Sequence, residues 1–114
     1  MSDQAEINIF KVLDFIRDNA KAYAQAKANR VYIEEYRKTL KAKLMQKAQQ
    51  EGATASATQE RDAYANPEYE AHLKALEAAV EAEETLRWRL IAAQAKLEVW
   101  RSIGANQRAQ DKVI

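Results

Sequence analysis

Trp88 stands between Arg87 and Arg89, and Trp100 is followed by Arg101, inside the stretch LRWRLIAAQAKLEVWR at residues 86–101. Cations interleaved with aromatic rings can attract phosphates and offer flat faces to unstacked bases. The same residue types also suit a packed helical seam whose flanks are charged. Bond-making chemistry has thinner support. His72 is the single histidine, and Glu68 precedes it by four residues rather than the three of the Glu-x-x-His pattern of di-iron bundles. Gly52 and Gly104 build no phosphate loop, no nucleophile has a base partner nearby in sequence, and there is no cysteine. The expectation is a non-enzyme with no catalytic residue, no metal site and no cofactor. His72 then reads as a partly exposed helix residue, and Glu81, Glu83 and Glu84 as a solvated or lysine-paired face.

The elements that carry these residues follow from composition. In 114 residues, 47% are apolar while only two are Gly and one is Pro, which is the make-up of long helices in a single domain. The absence of cysteine fits a reducing compartment. The start MSDQAEINIF has acids where a signal peptide carries a basic region, and no apolar run approaches the roughly 20 residues of a membrane span. A cytoplasmic protein without membrane contact is expected.

Asp3 and Glu6 make a capping pair, and no Gly or Pro appears until Gly52. The first helix is therefore predicted over about 5–49. Residues 50–66 read as a polar loop with one helical turn after Ser56. Asn66-Pro67-Glu68 supplies an N-cap, a proline at the first helical position and an acid at the positive helix end. A second helix over about 67–103 should stop at Gly104, with the tail at 104–114 either continuing weakly or fraying.

Apolar residues recur at spacings of three and four. In the first helix the seam is Phe15, Ala22, Ala26, Ile33, Tyr36, Leu40 and Leu44, with Asn19 and Asn29 filling two positions. In the second it is Tyr69, Leu73, Leu76, Val80, Leu86, Leu90, Ala93, Leu97 and Trp100. The fold class expected is all-α, a long, coiled-coil-like antiparallel hairpin. With the loop centred near 58, Leu40 faces Leu76, Ile33 lies near Glu83, Asn29 near Arg87 and Ile16 near Trp100.

The net charge of +1 conceals alternating blocks. Residues 1–14 have one cation against three anions, 15–50 nine against three, 51–84 two against nine, and 85–114 six against two. In the hairpin, Arg37, Lys38, Lys41, Lys43 and Lys47 run alongside Glu68, Glu70, Glu77, Glu81, Glu83 and Glu84, so the loop end is expected to neutralise itself and to set the register. That neutralisation argues against the acidic block acting as a DNA mimic. At the open end Arg17, Lys21, Lys27 and Arg30 face only Asp18, and Arg87, Arg89, Lys96 and Arg101 face only Glu98. This surplus attracts phosphates.

The open end also has more apolar surface than one partner helix covers, and a helix apolar on two sides is normally buried on two sides. Homo-oligomerisation through the open end is expected, with Ile9, Phe10, Leu13, Ile16, Trp88, Ile91, Val99, Trp100 and Ile103 at the interface.

NRVYIEEY at 29–36 follows an alanine-rich stretch and precedes a lysine-rich one; a polar loop and an Arg and Tyr entering a long helix rich in Leu, Trp and Ile come next. Over roughly residues 22–105 this order of features resembles the UvsY-type recombination mediators of T-even phages, although Trp88 and Trp100 have no residue-for-residue counterpart there. The resemblance implies a small helical protein that assembles into a ring in the cytoplasm of a phage-infected or prophage-bearing bacterium. It also implies binding of single-stranded DNA and help for a RecA-like recombinase in replacing single-strand-binding protein. Lys21, Lys27, Arg30, Arg87, Arg89 and Lys96 would then touch phosphates, and Tyr32 would stack on a base. The competing expectation is a helical assembly or adaptor protein, such as a phage morphogenesis chaperone, without nucleic-acid binding.

Overall fold

The computed structural model describes residues 6–113. Three helices follow in order, α1 (Ile9–Gln50), α2 (Ser56–Ala65) and α3 (Pro67–Val113), and the described residues include no strand. They group into two compact units, one drawn from the chain up to Ala24 together with Glu84 onward, the other from Gln25–Glu83. No helix is long and apolar enough to cross a membrane.

α1 starts where Asn8 can cap it: the Asn8 Oδ1 accepts the Lys11 amide at 3.2 Å, which satisfies one of the orphan amides of the first turn. The expected start near residue 5 is thus displaced. Glu6 precedes the helix, and Asp3, its expected capping partner, lies outside the described residues. α1 runs unbroken past Asn19, whose side-chain amide donates to the Phe15 carbonyl at 3.0 Å. At its far end Gly52 takes a φ of 110°. The Gly52 amide bonds to the Gln49 carbonyl at 3.1 Å and the Ala53 amide to the Ala48 carbonyl at 2.9 Å, the paired bonds of a helix stopped by a left-handed residue.

The segment expected as a loop contains much more helix than one turn, since α2 takes ten of its residues. Asn66 ends α2 and begins α3. Its Oδ1 accepts the Glu68 amide at 2.9 Å and its carbonyl accepts the Tyr69 amide at 2.9 Å, while Pro67 opens the helix and Glu68 and Glu70 sit in the first turn. This start matches the sequence reading. The stop does not: α3 continues through Gly104 to Val113. A glycine inside a helix costs only about 1 kcal/mol relative to alanine, and Gly104 does not take the positive φ that ends α1 at Gly52.

In the unit Gln25–Glu83, partners on α3 recede as α1 advances. Arg30 meets Glu83, Tyr36 meets the His72 ring, and Tyr69 packs on the cluster of Leu40, Leu44 and Ala63, so the two helices are antiparallel. Ala63 has no exposed surface because α2 lies directly against α1, tied there by Lys41 Nζ to Glu60 Oε1 at 3.0 Å. This placement shifts the register. Chain that was expected to arch over the end of α1 instead lies along it, so α3 joins α1 further back. Arg30 rather than Ile33 pairs with Glu83, His72 Nε2 lies 2.7 Å from the Ile33 carbonyl, and Tyr69 packs on the cluster that holds Leu40, which was expected to face Leu76.

The seam of α3 moves with it. Tyr69, His72, Leu76, Ala79 and Glu83 are the covered positions, at alternating spacings of three and four, while Leu73 and Val80 remain 43% and 41% exposed. On α1 the exposed Asn29 yields its expected seam position to the half-buried Arg30.

The unit formed from the chain ends repeats the antiparallel arrangement. Phe15 shares a cleft with Arg89 and Ala92, whereas the earlier Ile7 shares one with the later Val99. Val12 and Ala93 are its buried apolar residues, with Leu86, Leu90 and Leu97 half-buried. The fold is an all-α helical hairpin.

Candidate nucleic-acid interface

In the unit of the chain ends, Arg89, Ala92, Ala93 and Lys96 follow at spacings of three, one and three and so share one side of α3. Opposite them stand Lys11, Val12 and Phe15 of α1. Together these residues line a cleft of about 380 Å³ whose floor is apolar. A second cleft, of about 640 Å³, shares Lys11, Val12, Ala92 and Lys96 and extends past Ala95 to Val99, Ile7, Asn8 and Glu6. Lys11, Arg89 and Lys96 are exposed, and none of them is in an ion pair among the described residues. Glu6 is the one carboxylate lining the clefts, so the groove presents a positive field over an apolar floor. Such a surface attracts an anion and holds the apolar parts of what carries it.

Of the expected phosphate contacts, Arg89 and Lys96 come together here. Lys21 is exposed in the same unit and lines neither cleft. Lys11 was missed because it stands in an N-terminal block of net negative charge; its place next to Val12, an apolar residue three positions before the seam residue Phe15, was the available signal. Arg87 has its Nη2 2.9 Å from Glu84 Oε2 and its guanidinium 5.0 Å from the centre of the Trp88 ring, a cation-π contact that holds both side chains to the helix surface.

In the unit Gln25–Glu83, Lys27 is exposed. Arg30 is not available: its Nε lies 2.6 Å from Glu83 Oε2, its Nη2 3.1 Å from Glu83 Oε1, and its Nη1 2.7 Å from Glu34 Oε2. The hydrogen bonds to Glu83 and then Glu34 push its pKa above the ordinary guanidinium value. A guanidinium engaged by two carboxylates is held to the fold and has less of its charge to offer a phosphate. Tyr32 is 67% exposed and stacks on Tyr36 at 6.0 Å with the planes 19° apart. Lys43 approaches the Tyr36 ring at 5.7 Å.

The expected neutralisation of the acidic block takes a different form. Lys41 pairs with Glu60 of α2 and lies 4.8 Å from the Tyr64 ring centre; Tyr64 and then Glu60 push its pKa up. Lys38 pairs with Glu35 of its own helix. Glu68, Glu70, Glu77 and Glu81 of α3 are exposed, and none is in an ion pair among the described residues.

The residues expected at an oligomer interface all lie in the unit of the chain ends. Phe10 is 75% and Trp88 58% exposed, and Leu13, Val99, Trp100 and Ile103 are exposed as well, while Ile9, Ile16 and Ile91 are half-buried. The exposure of Trp100 departs from its expected part in closing the hairpin. No protein-family model, no curated protein and no solved structure matches the chain.

Proposed function

We propose that this protein is a recombination mediator of the phage type: a homo-oligomer that binds single-stranded DNA and helps a RecA-like recombinase take the place of single-strand-binding protein, in the cytoplasm of the infected or prophage-bearing host. The observation that carries the DNA-binding step is the groove in which Lys11, Arg89 and Lys96 surround an apolar floor without a carboxylate partner among the described residues. Few cations per subunit make a weak site, and an oligomer makes weak sites useful by presenting several to one strand. Lys21 would add to that surface; in the unit Gln25–Glu83, Lys27 and the exposed ring of Tyr32 would offer contacts of their own, while Arg30 serves the fold.

Fluorescence anisotropy with a labelled single-stranded oligonucleotide tests the reading. Binding is expected at low salt and should fall steeply as salt rises, each phosphate contact contributing about −0.7 to the slope of log K against log salt. Lys11→Ala, Arg89→Ala and Lys96→Ala should each weaken binding and flatten that slope. No binding at low salt would remove the mediator reading. The second reading, a helical assembly protein without nucleic-acid contact, is favoured by the exposed Phe10, Leu13, Trp88 and Val99; it predicts self-association with no anisotropy change.

A further inference from the structure

The exposed side of α3 in the unit Gln25–Glu83 carries a stripe complementary to the basic groove. Glu70, Leu73, Glu77, Val80 and Glu81 recur at spacings of three, four, three and one, which puts them on one helix face. Leu73 and Val80 are large apolar residues left 43% and 41% exposed, since the seam on α1 takes Leu76 and Ala79 instead. The three glutamates are exposed and in no ion pair among the described residues. Lys74 is the one cation in that stretch of sequence.

We propose that the groove lined by Lys11, Val12, Phe15, Arg89, Ala92 and Lys96 of one copy receives the Glu70–Glu81 stripe of a second copy. The match is threefold. Three cations without carboxylate partners meet three such anions. Leu73 and Val80 supply apolar side chains for a floor built from Val12, Phe15 and Ala92. The lengths also agree: the two clefts run along α3 from Arg89 to Val99, and that span and the stripe are each about 15 Å at 1.5 Å per residue. This is an amphipathic helix laid in a groove, with burial of the apolar residues supplying affinity and the charges fixing which surface pairs with which.

Such a contact joins different patches of the two copies, so it is heterologous and propagates into a closed ring or a filament. It rests on the self-association in the proposed function and not on DNA binding. The phosphates of a nucleic acid and the carboxylates of the stripe compete for the same three cations, so this contact belongs to the DNA-free protein: a short single-stranded oligonucleotide should displace the stripe, and copies lined up on one strand then stay associated through the exposed Phe10, Leu13, Trp88 and Val99.

Sedimentation velocity at low salt, with helicity checked by circular dichroism, tests it through two charge-reversed variants. Glu77→Lys/Glu81→Lys spoils the stripe and keeps the groove; Arg89→Glu/Lys96→Glu spoils the groove and keeps the stripe. The wild type should sediment as an assembly that dissociates as salt rises. Each variant alone should associate at least about tenfold more weakly, and an equimolar mixture should regain a complex, since one variant supplies the groove and the other the stripe. A wild type that stays monomeric overturns this inference together with the self-association of the proposed function. A wild type that assembles alongside two variants that assemble equally well overturns this inference alone.

Discussion

Arg30 and Glu83 place a charged pair in a seam that is otherwise mostly apolar. The Glu83 side chain is 9% exposed and accepts two of the Arg30 nitrogens, so the guanidinium compensates a carboxylate largely removed from water. Burying such a pair costs desolvation that the attraction only roughly offsets, whereas removing one partner leaves an uncompensated charge. Arg30→Met and Glu83→Leu are each expected to lower Tm, and the double variant to recover the wild-type Tm or exceed it. Additive losses in the double variant, measured by thermal melts, would contradict this. Sequence could not expose the pair. Arg30 reads as one more cation of a basic block because its partner stands 53 residues away, and Asn29 beside it looked like the polar occupant of the seam.

The helices show which signals are local. Asn66-Pro67-Glu68 was legible because the cap, the proline and the first-turn acid act within three residues of one another. The two glycines were not equally legible. Gly52 adopts φ 110°, whereas Gly104 lies inside α3, where an added methyl would meet only the Arg108 guanidinium, at 3.4 Å. Gly52→Ala should therefore destabilise by about 1–2 kcal/mol, the cost of a left-handed residue with a Cβ. Gly104→Ala should stabilise by up to about 1 kcal/mol. Urea denaturation of the two variants should move the midpoint in opposite directions, and a shared direction would refute the assignment. α2 was seen only as one turn because its N-cap position is Ala55, with no side-chain cap; its length depends on Ala63 packing against Leu40 and Leu44.

At the scale of the whole molecule the interior is modest. The buried apolar residues are Val12, Leu40, Leu44 and four alanines, and no large side chain among the described residues is fully buried. Burial of apolar surface is the main favourable term in folding, so part of the stability should come from association between copies. Tm is accordingly expected to rise with protein concentration, because a state that binds only its folded partner is stabilised by mass action. A Tm that stays constant over a hundredfold dilution would place the exposed Phe10, Trp88 and Val99 in contact with solvent alone.

Helix content, the cap at Asn66, the stop at Gly52 and the excess of cations over residues 85–114 were determined by the sequence itself. Each depends on residue type and on neighbours within a turn or two. The tertiary structure decided which of two adjacent stripes on α3 became the seam, which cation Glu83 would take, and that Lys11 would stand across a groove from Arg89 and Lys96. The seam and the Arg30–Glu83 pair follow from register in the unit Gln25–Glu83, where α2 folds back along α1; these, like the groove in the unit of the chain ends, depend on contacts between residues far apart in the chain that no local spacing encodes.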